Sequence, residues 1–377
     1  MIDLQESRQE IDKIDAEIVR LFEQRMETAR NVAAYKIETG RKVFDRQREE
    51  DKLNTLMDMA GNDFNRHGIR ELFVQIMSMS RKLQYGLIPS CLEDLSFKQV
   101  KTLKLEGRKI VSFGEPASYT EQAMEDYFGT GIDSFHAGTF KEVMEAIRDG
   151  RAEYGVLPIE NTSTGGITDI YDLLVEYDNY IIGEHVVKVD HALLGLPDAD
   201  KEDIKTVYSH PQGLLQCADY LREHPSIRTM EFSSTSGSAR KVLDDGDITQ
   251  GAIASPRAAQ HYGLKVLEES INTASNNSTR FIVITNKKIF FEDASKVSIC
   301  FELPHASGTL YNMLSHIIYN NLNMTKIESR PLPGRNFEYR FFVDFEGNLT
   351  DAGVQNALCG IKEEATELKI LGNFSTK

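Results

Sequence analysis

Along the first ~90 residues, apolar positions recur every three or four places, the spacing of helices with one packed face. Leu4 to Glu38 reads as one helix of about 35 residues, or ~50 Å, stopped by Gly40. A second follows Asp45, with Glu49, Leu53, Leu56 and Ala60 on one side, and GND at 61–63 breaks it. A third carries Ile69, Phe73, Ile76, Ser80 and Gln84 on one face and is stopped by YGLIPS. The first helix is too long to bury its seam against two short partners. The segment is therefore expected to dimerise, with seams shared between chains.

From residue 107 to 286 the pattern changes to short β-branched runs alternating with amphipathic stretches. KIVSF, YGVLPIE, TVYSH, GAIAS and TRFIVIT read as strands, and 139–149, 166–177, 211–223 and 235–245 as helices, an α/β alternation. Residues 91–106 and 286–295 read as polar connectors. The last segment runs VSICFELP, SGTLYNMLSHIIYNNL, NMTKIESRPL, EYRFFVDFEG, DAGVQNALCGIKEEA and ELKILGNF. That is strand, helix, strand, strand, helix, strand, the order of a ferredoxin-like sandwich. The expected organisation is multidomain: all-α over 1–90, α/β over 107–286 and α+β over 295–377.

Composition fits a folded globular protein, with 41% hydrophobic and 27% charged residues in a chain of 377. A net charge of −15 argues against non-specific binding to nucleic acid or an anionic membrane. No apolar run approaches a membrane span, and MIDLQESRQEIDKID lacks both features of a signal peptide, so a cytoplasmic location is expected. Cys91, Cys217, Cys300 and Cys359 are scattered without CxxC or Cys/His pairing. Free thiols are expected, and no metal or other cofactor.

Against this background the seam of the first helix contains an oddity. Its positions are Arg8, Ile11, Asp15, Ile18, Phe22, Arg25, Ala29, Val32 and Lys36, three of them cations among core residues. Long cationic stems often lie on apolar surface with their heads in water. Three on one seam, with Arg48 and Glu49 on the second helix and Ser80 and Gln84 on the third, point to a pocket for a small dianion bearing a hydroxyl. The segment resembles the all-helical chorismate mutase family over its whole length. The resemblance implies that Arg8, Arg25 and Arg48 bind the two carboxylates of chorismate. It also implies that Lys36 and Gln84 meet the ether oxygen, that Glu49 holds the ring hydroxyl, and that Asp45 and Ser80 support the pocket. That family is a helix-swapped dimer, which sends Arg8 into the partner's site.

In the middle segment, GVLPIENTSTGGITDIYDLL reads as a strand end leading through Asn161, Thr162, Ser163, Thr164, Gly165 and Gly166 into a helix start. A helix cap with a tight turn would account for this run alone. PASYTEQA, SHPQGLLQC and SSTSGSARKV repeat the theme, and together they suggest a convergent anion site between two α/β lobes. GVLPIENTSTGG, SHPQGLLQC and NNSTRF resemble the prephenate dehydratase family, which has two lobes like type II periplasmic binding proteins and a site in the cleft. The resemblance makes Thr279 the catalytic hydroxyl and Arg280 a carboxylate ligand. Glu160, Asn161, Thr162, Ser163, Ser209, Gln212, Gln216 and Thr235 fall at other cleft positions. Either Thr279, within a network, or Glu160 could protonate the departing hydroxide. His210 reads as a turn and cap. Ala117 departs from the family's glycine.

TKIESRPLPG and ASGTLYNML resemble a phenylalanine-binding ACT regulatory domain, implying a regulator site from Gly308, Leu310, Glu328, Ser329, Arg330 and Pro331. Thr309 departs from the Gly-Ala-Leu of relatives. In family order the three segments resemble bifunctional enzymes that convert chorismate to prephenate and then to phenylpyruvate, under feedback by phenylalanine. The implied ligands are chorismate, prephenate and phenylalanine, on a homodimer or higher oligomer. The alternatives are one inactive catalytic domain, preference for arogenate, or a non-catalytic aromatic-ligand sensor. No GxGxxG supports a nucleotide-dependent dehydrogenase.

Overall fold

The Asp3 carboxylate accepts from the Gln5 and Glu6 N–H groups and opens helix α1, Leu4–Thr39, which closes at Gly40 in the left-handed conformation. Asp45 caps α2, Arg46–Met57, and Asn62 caps α3, Asp63–Leu87. These local signals are why three helices form where the periodicity predicts them. The computed structural model describes residues 3–88, 96–335 and 337–377. The chain divides into two compact units, Met1–Ser96 with Ile299–Lys369, and Phe97–Ser298 with Ile370–Lys377.

Along α1 the seam is only half covered within one chain. Ala29 and Ala33 are buried, whereas Leu4, Ile11, Ile14, Ile18 and Val19 are exposed. The N-terminal half of the seam thus stays uncovered within a single chain, because α2 and α3 are too short to reach it.

The second unit holds two α/β lobes. The first contains β1 (Lys98–Val100), β2 (Ile110–Phe113), α4 (Tyr119–Phe128), β3 (Ser134–Ala137), α5 (Phe140–Arg148), β4 (Tyr154–Asn161), β5 (Gly165–Gly166), α6 (Thr168–Glu176) and β6 (Tyr180–Lys188). The second contains β7 (Ala192–Gly195), β8 (Thr206–Ser209), α7 (Pro211–Gln216), α8 (Ala218–Glu223), β9 (Arg228–Glu231), α9 (Thr235–Asp245), β10 (Gln250–Ala254), α10 (Pro256–Tyr262) and β11 (Lys265–Glu268). The chain then returns as β12, Ser278–Thr285, into the first lobe between β4 and β6. Two crossings, at 189–191 and 269–277, therefore link the lobes. The second sheet runs β11-β7-β10-β8-β9.

Three expectations change here. The connectors are not purely irregular, since β1 pairs in parallel with β13, Ile289–Phe291. The run 161–166 is not a helix start. Asn161 and Glu160 pair with Gly165 and Gly166 in a β4–β5 hairpin, and α6 begins at Thr168 without a side-chain cap. The 211–223 helix is broken at Cys217 into α7 and α8.

The C-terminal segment contains β14 (Lys296–Glu302), α11 (Thr309–Tyr319), β15 (Met324–Pro331), β16 (Tyr339–Glu346), α12 (Ala352–Glu364) and β17 (Glu367–Phe374). Its strand order, β15-β16-β14-β17, is that of a ferredoxin-like sheet. Cys217 and Cys300 are free and buried, but Cys359 is disulfide-bonded, which corrects the expectation of free thiols for that residue. Pairing in space leaves no trace in wide sequence spacing. Cys91, and Pro89 and Ser90 of YGLIPS, lie outside the described residues.

Candidate functional sites

Seven of the eight residues singled out on the three helices surround one cavity of about 770 Å³: Arg25, Lys36, Asp45, Arg48, Glu49, Ser80 and Gln84. Arg8 is exposed and lies about 25 Å along α1 from Arg25, at 1.5 Å per residue. The Arg25 guanidinium donates to Ser80 Oγ and to Ile76 O at 3.3 Å, so its fork is braced by α3. Asp45 acts as the α2 cap, accepting from Arg48 N at 3.2 Å, and so sets where Arg48 and Glu49 begin. Lys36 Nζ donates to Val43 O at 2.6 Å. Burial lowers its pKa from the ordinary lysine value, opposed mainly by the nearby Glu363 carboxylate. Gln84 Nε2 donates to Ser80 O at 3.1 Å, leaving the buried Oε1 without a partner.

The residue that sequence reading missed here is Arg81. It lines the cavity, is almost fully buried, and ion-pairs with Glu49. Its guanidinium also lies 4.8 Å from the Phe44 ring centroid. Only its position three residues before Gln84 on the packed face of α3 could have signalled it.

In the two-lobed unit, antiparallel pairing of β12 with β4 sets Thr279 opposite Asn161 and Arg280 opposite Glu160. Asn161 is buried, and its Oδ1 accepts from the Ser163 backbone N–H at 2.9 Å. That unambiguous donor fixes the amide orientation. Its Nδ2 therefore donates, to Thr279 Oγ1 at 2.8 Å, to Asn277 Oδ1 at 2.9 Å and to Ser278 O at 3.1 Å. Thr279 Oγ1 is thus an acceptor toward Asn161, and its own proton is directed elsewhere. From the second lobe, Gln216 Nε2 reaches Asn161 Oδ1 at 3.5 Å, and its Oε1 meets His191 Nε2 at 2.9 Å. Burial lowers the His191 pKa, so the ring is neutral and donates to Gln216 from Nε2, while Nδ1 faces the Tyr119 hydroxyl at 3.2 Å. His191, Gln216, Asn161 and Thr279 form a line of donors running one way.

Glu160 is half-buried and ion-paired with Arg280 at 2.5 Å, and Arg280 also meets buried Glu184 at 3.1 Å. Arg280 is thus shared by two carboxylates. Glu184 in turn accepts from Lys296 Nζ and Thr376 Oγ1, each at 2.8 Å. Ser209 is fully buried, with its hydroxyl on Ile253 O at 2.7 Å. A Cβ on Gly213 would fall 2.6 Å from that hydroxyl and 3.1 Å from Thr235, which is why α7 approaches only with glycine there. Gln212, Thr162 and Ser163 are exposed, and Thr235 is partly buried at the start of α9. The His210 side chain caps α7 through Gln212 N at 3.2 Å. Ala117 has φ +60°, a left-handed conformation that costs a non-glycine residue roughly 1–2 kcal/mol. Sequence reading missed His191, Asn277 and Glu184, which are gathered by the lobe crossings and β6. Asn277 keeps a buried Nδ2 without a partner beside Thr279.

In the C-terminal segment Gly308 is the left-handed cap of α11, which has no side-chain cap, and Leu310 lies in its first turn. Glu328, Ser329, Arg330 and Pro331 end β15, an edge strand of the four. Among the described residues no helix is long and apolar enough to cross a membrane, and no cluster of metal-ligating side chains occurs.

Residues 110–289 match the prephenate dehydratase family, and residues 7–85 match chorismate mutase type II. The bifunctional chorismate mutase/prephenate dehydratase of Aquifex aeolicus (strain VF5) is 32% identical over 378 residues, covering 99% of this chain and 98% of that protein. The solved prephenate dehydratase from Arthrobacter aurescens, in complex with L-Phe, has a TM-score of 0.66 and 29% identity over 71% of this chain and 89% of its own. GqqA, described as a novel type of quorum quenching acylase, reaches the same TM-score at 28% identity, over 72% of this chain and 98% of its own. The two matched families make this chain an isomerase and a lyase on one polypeptide. It belongs to the bifunctional chorismate mutase/prephenate dehydratase family.

Proposed function

We propose that the helical cavity rearranges chorismate and that the Asn161–Thr279 pair serves the dehydratase step, in a cytoplasmic homodimer regulated by phenylalanine. The rearrangement is unimolecular and requires no nucleophile. Arg25 and Arg48 hold the substrate dianion in its folded conformer, and Glu49 accepts from the ring hydroxyl. Lys36 and the Gln84 amide, whose Nε2 carries a second N–H besides the one on Ser80 O, stabilise negative charge developing on the ether oxygen. Arg8 completes the site from a partner chain, a reading supported by its distance from Arg25 and by the exposed apolar half of α1.

Prephenate then loses its ring hydroxyl and carboxylate and becomes aromatic phenylpyruvate. The observation that carries the dehydratase reading is the direction of the Asn161–Thr279 hydrogen bond, which leaves the Thr279 proton available to the departing hydroxide. A threonine hydroxyl is a weak acid, and donation along the His191–Gln216–Asn161 line polarises it. Glu160, held by Arg280, is proposed as a charge partner that positions this guanidinium for the pyruvyl carboxylate. Ser209 supports the fold, while Gln212, Thr162, Ser163 and Thr235 border the cleft.

The shared dimer site has a direct test. Co-expressed Arg8→Ala and Lys36→Ala chains form hybrid dimers in which one of the two sites is intact. Random pairing then restores roughly a quarter of wild-type mutase turnover, whereas each variant alone stays low. Absence of recovery in verified hybrid dimers contradicts the shared site.

For regulation, the C-terminal segment is proposed as an ACT domain binding phenylalanine between α11 and β15 at a dimer interface. L-Phe bound to the Arthrobacter aurescens protein supports it, as does the ferredoxin-like order of the segment. The expected result is that Leu310→Glu keeps prephenate turnover but loses calorimetric phenylalanine binding and inhibition. Unchanged inhibition in that variant sends the regulatory site elsewhere.

A further inference from the structure

The mutase family match ends at residue 85, yet two side chains beyond it bond to residues that line the helical pocket. Both come from the end of α12. Glu363 accepts from Val43 N at 3.2 Å, from Phe44 N at 2.6 Å and from Tyr85 Oη at 3.1 Å. The turn it holds presents Val43 O, the acceptor for Lys36 Nζ. Its neighbour Glu364 accepts from Arg81 Nε at 2.9 Å and meets His316 Nε2 at 3.0 Å. Arg81 in turn grips Glu49. Each carboxylate is thus one group away from a side chain assigned to the rearrangement.

We propose that Glu363 and Glu364 are positioning residues for the mutase step, contributed by the C-terminal segment. This rests on the mutase reading given above. Glu363 fixes the turn at Val43 and Phe44 by occupying both backbone donors, which would otherwise be free to let it drift. The Lys36 ammonium has three donors, so one can stay on Val43 O while another meets the ether oxygen. The backbone anchor sets the direction of the second. Glu364 shares the buried Arg81 guanidinium with Glu49. Removing it leaves Arg81 with one carboxylate instead of two and pulls Glu49 from the position that accepts the ring hydroxyl. Burial raises the Glu364 pKa, but the His316 hydrogen bond and the Arg81 charge outweigh it and hold the group below its ordinary value, as an anion at neutral pH. The packing of Val43, Tyr85 and Cys359 in one apolar cluster keeps the two elements in register.

Full-length Glu363→Gln and Glu364→Gln test this with chorismate as the substrate. Each is expected to lower mutase kcat by about ten-fold with less than a two-fold change in KM, since misaligned groups slow the chemical step more than they weaken carboxylate binding. Turnover of added prephenate stays at the wild-type value. Non-additivity separates positioning from general support: Glu363→Gln costs little further in a Lys36→Ala background, and Glu364→Gln little further in Glu49→Gln. The proposal is overturned if folded single variants, judged by their thermal unfolding, keep wild-type kcat. Full multiplicative losses in the double variants overturn it equally. Lys36→Ala alone separates the two levels. Wild-type chorismate turnover there defeats the mutase reading itself, while loss there with intact Gln variants defeats only this inference.

Discussion

Lys36→Ala is expected to lower chorismate turnover by about 10²–10³-fold, the usual effect of removing a donor aimed at developing charge. The ammonium is half-buried at the cavity, where water competes weakly and its charge acts at short range. Alanine removes that charge without touching Arg25 or Arg48, so KM should change far less than kcat. Prephenate supplied to the same variant should be consumed at the wild-type rate, because Lys36 lies in the other compact unit from Thr279. Steady-state assays with each substrate check both halves. Near-normal chorismate turnover in a folded Lys36→Ala protein rules out the assigned role.

Thr279→Val keeps the β-branched shape in strand β12 and deletes the hydroxyl. Phenylpyruvate formation should fall by more than ten-fold, a barrier increase above ~1.4 kcal/mol. Two effects add in the same direction. The reaction loses its proposed proton donor, and Asn161 Nδ2 loses one of its three acceptors in a buried place. The remaining acceptors, Asn277 Oδ1 and Ser278 O, should hold Asn161 in position, so little stability is lost. A kcat for prephenate within about three-fold of wild type, less than 1 kcal/mol in barrier, would remove Thr279 from the chemistry and leave the Glu160–Arg280 pair to be examined.

What the sequence made legible was local. Asp45 as a cap, Gly40 as a stop and the strand–helix order after residue 295 depend on neighbours a few places away, and each appears where the pattern predicts it. The hydroxyl run 161–164 misled because the residues that cap helices also favour tight turns. Here the β4–β5 hairpin takes them. Strands of three residues, such as β1 and β13, are too short to show alternation. The site residues that escaped, His191, Asn277, Glu184 and Arg81, are defined by tertiary contacts across long separations. Gln216 meets Asn161 across 55 positions, and Arg81 meets Glu364 across 283. No periodicity encodes such pairs.

The division of labour between two residue sets on one chain is tested most directly by supplying chorismate alone to three samples and following prephenate and phenylpyruvate by chromatography. Lys36→Ala by itself should consume chorismate about 10²–10³-fold more slowly than wild type and form correspondingly little phenylpyruvate. Thr279→Val by itself should accumulate prephenate and form little phenylpyruvate. An equimolar mixture of the two should carry chorismate through to phenylpyruvate, because each protein supplies the step the other lacks. Wild-type phenylpyruvate formation by either variant alone, or a mixture that stalls although both proteins are folded, would contradict the account.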